Sequence, residues 1–177
     1  MIPKVISEEV RYKGEWVDVI AKKVDLGNGK IVSWETIKTN DGVATVALDS
    51  ENNVYLGKEY KVVHKGFIYN IATGLAESQY SEETLREQAK KELQEELGIN
   101  SKRIEKLATV LYGGRSSTKW HIYMAREIYS DPLDKEEGEV IEPIKMPIEE
   151  ALKLLLSNKS HFVALLGILL VKEKLNL

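Results

Sequence analysis

The chain has 177 residues and a mass of 20.1 kDa, the length of a single domain, and can bury roughly two-thirds of the surface its unfolded form exposes. Charged residues make up 30% and the formal charge is −3, so there is no basic excess of the kind that drives nonspecific nucleic-acid binding. The absence of cysteine excludes disulfides, thiolate metal sites and a cysteine nucleophile, and fits a reducing cytoplasm. The N-terminus, MIPKVISEEVRYKGEW, lacks a continuous apolar run, and the longest apolar stretch, Phe162 to Val171, is about half a membrane span. A soluble, cytoplasmic protein is expected.

In chain order, WVDVIAKKV, KIVSWETIK, VATVALD and NVYLGKEYKVV are short runs rich in Val, Ile, Tyr and Trp, separated by GNG, NDG and ENN turn signals. They predict antiparallel strands and hairpins. NIATGLAES then places Gly74 in a loop before a helix. From Ser81 the period changes, with Leu85, Ala89, Leu93 and Leu97 spaced by four, so that one stripe faces a core. Ser81 suits the N-cap, Glu82 and Glu83 the positive end of the helix dipole, and Gly98 the stop. Strand-like segments return at KLATVLY and KWHIYMAREI, and an acidic loop runs from Asp131 to Glu142. Pro147 opens a helix, IEEALKLLL, and HFVALLGILLVKEKL predicts a last helix, apolar on most faces and packed inside the domain or at a subunit contact. Together these elements predict the α+β class, an α/β/α sandwich with a mixed sheet between helices.

Glu92, Glu95 and Glu96, in KELQEELGIN, share one helix face, because neighbours three and four apart lie about 5–6 Å from each other. Like charges at that spacing weaken an isolated helix by a few tenths of a kcal/mol. Two readings fit the pattern: a solvated face softened by Lys90 and Lys91, or a site for a hard divalent cation. Gly74 favours the second, since an unblocked backbone can turn sharply there and offer a carbonyl to a cation. Oxygen ligands suit Mg²⁺ or Mn²⁺, which bridge carboxylates to substrate phosphates.

The stretch GLAESQYSEETLREQAKKELQEELGI, from Gly74 to Ile99, resembles the Nudix box: Gly, five residues, Glu, seven residues, Arg-Glu, an aliphatic, any residue, Glu-Glu, any residue, Gly, aliphatic. Gly98, Glu96, Glu95, Leu93, Glu92 and Glu83 fill their positions; Lys91 stands at the arginine, and eight residues instead of five separate Gly74 from Glu83, a three-residue insertion that includes SQY. Lysine lacks the planar fork with which arginine holds a carboxylate through two parallel bonds. Elsewhere the chain resembles ADP-ribose pyrophosphatases of that superfamily. Glu59-Tyr60-Lys61 stands where those enzymes have glutamine-tyrosine-arginine, and Ile71-Ala72-Thr73-Gly74 where they have a leucine-proline-alanine-glycine turn. Gly113, in YGGRSSTKW, stands at their characteristic proline.

The resemblance implies a Nudix fold over residues 41–177, with an N-terminal β-strand region at 1–40 for dimer and substrate contacts. It implies a metal-dependent hydrolase that splits ADP-ribose, or a related nucleotide sugar, into AMP and a sugar phosphate. Related alternatives are GDP-mannose, dinucleoside polyphosphates or oxidised nucleotides as substrate, and a Nudix-fold module that binds a nucleotide without turnover. Mg²⁺ or Mn²⁺ would be held by Glu92, Glu95, Glu96 and the Thr73 carbonyl, next to Gly74, and would neutralise the diphosphate and activate water. The catalytic base would come from the acidic loop, at Glu139 or Glu137, with Glu95 as the alternative. Trp16, Trp34 and Tyr12 are candidates to stack on the base of the nucleotide, and Lys61 and Arg115 to reach its phosphates. His64, His121 and His161 show no ligand spacing and read as structural. The partners implied are a small nucleotide and a second copy of the chain, with neither nucleic acid nor membrane.

Overall fold

A computed structural model describes residues 2–77, 79–135 and 137–177. The chain divides into two compact units, one running to Asp41 and taking in Leu111–Lys119, the other made of Gly42–Val110 and Trp120–Leu177. The first holds a three-stranded antiparallel sheet in the order β1 (Lys4–Lys13), β2 (Asp18–Asp25), β3 (Ile31–Lys38). The β2–β3 turn is the one marked by GNG: Gly27 and Gly29 take φ of 75° and 79°, and the Gly27 amide donates to Asp25 Oδ1. Strand β1 has no counterpart among the predicted strands. Every one of its residues is exposed, and register shifts between Val5 and Ser7 and between Val10 and Tyr12 interrupt the alternation that marks a strand in sequence.

The second unit is built on a seven-stranded sheet in the order β10-β5-β4-β9-β8, with β6 on β5 and β7 on β4. The strands are β4 (Gly42–Leu48), β5 (Asn53–Lys61), β6 (Gly66–Asn70), β7 (Ala72–Leu75), β8 (Ile99–Leu111), β9 (Lys119–Ser130) and β10 (Ile141–Pro147). Strand β4 is buried at every position and runs parallel to β9 but antiparallel to β5 and β7, which makes the sheet mixed. Its side chains alternate between two faces. Val43 and Ala47 meet helix α1 (Glu82–Leu97) through Leu85, Ala89, Leu93 and Leu97, whereas Ala44, Val46 and Leu48 meet α2 (Ile148–Ser157) and α3 (Phe162–Leu175). The expected α/β/α sandwich is the observed one.

Helix α1 starts and stops where its sequence signals lie. The Ser81 hydroxyl accepts the Thr84 amide at 3.2 Å, the Ser81 amide donates back to Thr84 Oγ1 at 2.8 Å, and Gly98 ends the helix at φ 69°. The last helix buries Val163, Ala164, Gly167, Ile168 and Val171 in the core while Leu169 stays half exposed. Gly167 is what lets α3 approach the sheet: a Cβ there would stand 2.8 Å from Val46 Cγ2 and 3.1 Å from Ile71 Cδ1. Gly167→Val is therefore expected to destabilise the fold by about 1–3 kcal/mol through overpacking, read as a lower urea midpoint; an unchanged midpoint contradicts this packing. Among the described residues no helix is long and apolar enough to cross a membrane.

Candidate active site

Strand β7 and helix α1 meet at Glu92 and Glu96. Gly74 lies within β7, paired with Val43 of β4, and not in the loop expected from the sequence. Its lack of a side chain serves close approach instead of a turn, since an added Cβ would fall 1.8 Å from Glu92 Oε1 and 2.2 Å from its carboxyl carbon. Glu92 is held there by Gln88, whose Nε2 donates to Glu92 Oε1 at 2.6 Å. Next to Gly74, the Thr73 amide donates to Glu96 Oε2 at 2.9 Å, while Asn70, itself buried, donates to Thr73 Oγ1 at 2.9 Å. The glutamates are not on a solvated face: Glu92, Glu95 and Glu96 are 6%, 8% and 4% exposed.

Burial pushes the Glu96 carboxyl well above the usual carboxylate range; the Thr73 amide works against the shift, and the negative charges of Glu92, Glu59 and Glu139 add to it. Those three carboxylates thus lie within electrostatic reach of Glu96, Glu139 among them from the acidic loop. Glu137 is exposed and sits in a turn. Lys91, at the arginine position, reaches both oxygens of Glu95, at 2.8 and 2.9 Å. One ammonium therefore spans the carboxylate without the guanidinium fork. Lys61 pairs with Glu59 on the same face of β5 and shares that neighbourhood.

The donor set suits a hard divalent ion by its chemistry, being all oxygen and anionic with a backbone segment pressed against Glu92. Among the described residues, no three His, Asp or Glu side chains converge as a ready-made cage. Their oxygens are engaged by Gln88, Lys91 and the Thr73 amide, so an ion would take the place of some of these partners.

Trp16, Trp34 and Arg115 belong to the first unit. Trp34 and Arg115 line one cavity of about 450 Å³ together with Lys22 and Lys38, and the Arg115 guanidinium donates to the Glu35 carbonyl at 3.4 Å. Trp16 is 69% exposed and lines no part of that cavity. His121 is buried on β9, with Nδ1 3.2 Å from Thr109 Oγ1 and the Tyr80 ring edge-on at 5.3 Å, in keeping with a structural histidine. Tyr80 ends the inserted SQY; Ser78 of that insertion and Glu136 of the acidic loop lie outside the described residues. Gln88 and Glu59 are the groups that the sequence reading passed over. Both carry a spacing signal: Gln88 precedes Glu92 by four on a helix, and Glu59 precedes Lys61 by two on a strand.

The family model for the NUDIX domain matches residues 38–166. The chain belongs to the NUDIX family. It is 28% identical over 162 residues to the ADP-ribose pyrophosphatase of Bacillus subtilis (strain 168), covering 89% of this chain and 85% of that protein. It is 26% identical over 153 residues to the methanol dehydrogenase activator of Bacillus methanolicus, covering 85% and 81%. A crystal structure of an ADP compounds hydrolase shares the fold with a TM-score of 0.84 at 20% identity, covering 99% of this chain and 95% of that one. The expected Nudix hydrolase, similar to ADP-ribose pyrophosphatases, is borne out.

A Gly74→Ala variant tests whether the close approach of Gly74 to Glu92 serves turnover. Gly74→Ala would force the Glu92 side chain aside, which its flexibility allows without unfolding, and would remove it from its place against β7. Turnover is expected to fall by up to about 10²-fold, the cost of misplacing a reacting group by an ångström, with the thermal midpoint little changed. Normal kcat in the Gly74→Ala variant would show that Glu92 need not lie against the strand.

Proposed function

We propose that the chain hydrolyses the pyrophosphate bond of ADP-ribose, or of a related nucleotide sugar, to AMP and a sugar phosphate in the presence of Mg²⁺ or Mn²⁺. The observation that carries this reading is the buried cluster formed by Glu92 and Glu96 against Gly74, with Glu139 among the charges that act on Glu96. The similarity to the Bacillus subtilis ADP-ribose pyrophosphatase supports the choice of substrate. Glu92, Glu95, Glu96 and the Thr73 carbonyl would hold the divalent ion, which supplies charge neutralisation of the diphosphate and a lower barrier to attack by water.

The residues of the chain do the rest. Glu139 takes the proton from the attacking water as the new P–O bond forms and the bridging P–O bond breaks. Glu137, exposed in a turn, is the weaker candidate for that base, and Glu95 is already paired with Lys91. Lys61 faces the phosphates as a cation, and Thr73 and Asn70 hold the strand beside Glu96. Trp34 and Arg115 supply an aromatic face and a guanidinium for the substrate, with Trp16 as a further candidate.

The direct test is product analysis of purified protein with Mg²⁺ or Mn²⁺ and a panel of ADP-ribose, nucleotide sugars, dinucleoside polyphosphates and NADH. AMP and ribose 5-phosphate, lost on adding EDTA, are the expected result. Saturable binding without any product would overturn the reading in favour of a nucleotide-binding module. A homodimer in the cytoplasm is part of the same proposal, supported by the exposed Val10, Tyr12, Trp16 and Ile31 on or beside the first sheet. Sedimentation giving only a 20.1 kDa species at micromolar concentration would remove it.

A further inference from the structure

Glu59 has no part in the metal set or the proton transfer, yet its geometry is unusual for an acid on a central strand. It is 4% exposed, on the α1 face of β5 shared with Tyr55 and Gly57. A charge so buried survives only with partners. Its partner is Lys61, two residues on, whose side chain is half exposed and whose ammonium meets the Glu59 carboxylate. The same stretch of β5 also ties down the acidic loop. Glu59 stands opposite Ile141 in the β5–β10 register, and the Tyr60 amide donates to the Val140 carbonyl at 3.0 Å, one residue after Glu139. Lys61 and Glu139 thus leave the antiparallel β5–β10 pair at the same end, each one residue beyond the Tyr60–Val140 hydrogen bond.

We propose that Glu59 is a positioning residue that holds the Lys61 ammonium toward the diphosphate. A lysine on a four-carbon stem loses much rotamer freedom when it is immobilised on a ligand, and a buried carboxylate that restrains it beforehand lowers that cost. In this role Glu59 acts on the substrate through Lys61. This inference rests on the hydrolase reading for its catalytic consequence, but the restraint on Lys61 exists without turnover.

The test is a double-mutant cycle on the full chain with Glu59→Gln, Lys61→Met and the pair, read by two probes. The glutamine keeps shape and hydrogen bonding, and thermal midpoints verify that each variant folds. Steady-state kinetics with ADP-ribose should show KM raised about tenfold in each single variant and no further in the double, with kcat within about threefold of the parent. Calorimetry with inorganic pyrophosphate and Mg²⁺ should show the same non-additive loss of affinity, and it reports on Lys61 even if no nucleotide is turned over. Absence of turnover in the parent, with the pyrophosphate cycle as expected, would sink the hydrolase reading and leave the positioning role standing. Effects that multiply in the double variant, or a Glu59→Gln protein that binds pyrophosphate like the parent, would overturn the positioning role itself. So would rescue of Glu59→Gln by raised Mg²⁺, which would show that Glu59 acts on the ion.

Discussion

Glu96→Gln is expected to lower kcat for ADP-ribose by about 10³-fold or more while leaving the protein folded. Glutamine fills the same volume, and its carbonyl oxygen can still accept the Thr73 amide that now donates to Glu96 Oε2 at 2.9 Å. What disappears is a carboxyl group, 4% exposed, that can ionise to pair with a divalent ion in surroundings where water screens little. Removing one group aimed at the charge that develops in a transition state costs about 10²–10³-fold, and the same carboxylate also belongs to the ion's ligand set. The check is a rate measurement beside a thermal scan. Undiminished kcat in the Glu96→Gln variant would mean that the cluster does not serve the chemistry, whatever its family. The gain in stability on removing a crowded carboxylate would then be its only effect, because burial and the charges of Glu92, Glu59 and Glu139 oppose ionisation of Glu96.

Glu139→Gln is expected to cost about 10³-fold in kcat with little change in KM, the pattern of a lost general base. The loop position of Glu139 makes the substitution structurally mild, since the Tyr60 amide still holds Val140 and strand β10 still pairs with β5. Glu137→Gln in parallel should stay within a few-fold of the parent, because Glu137 is exposed in a turn. Retention of full kcat by Glu139→Gln would pass the base role to another group, and a large loss in Glu137→Gln would name which one. The two variants differ by only two positions in sequence, so their comparison separates a placed carboxylate from the general acidity of the loop.

Helix α1 could be read from its residues alone. Leu85, Ala89, Leu93 and Leu97 give the stripe, Ser81 the cap and Gly98 the stop, because the energies involved are local and set by residues a few positions apart. The strands β2 to β5 were legible for a similar reason, through alternation and turn residues. Strand β1 was not, since its register shifts and exposed residues leave no period to detect. The strand β7 was hidden by its shortness and by Gly74, which in sequence signals a turn and in the fold admits Glu92.

The same division holds at the candidate site. That three glutamates would share a face followed from helical geometry, and the family was suggested by the resemblance of Gly74 to Ile99 to the Nudix box. Whether that face met solvent or the interior did not, because burial depends on which strand packs against the helix. Only the tertiary structure decided that β7 lies against Glu92, that Glu139 comes within electrostatic reach of Glu96 across more than forty positions of chain, and that Glu59 joins them from β5. Sequence by itself determined the local elements and the type of chemistry; the charges that work on one another, being distant in the chain and close in space, were set by packing.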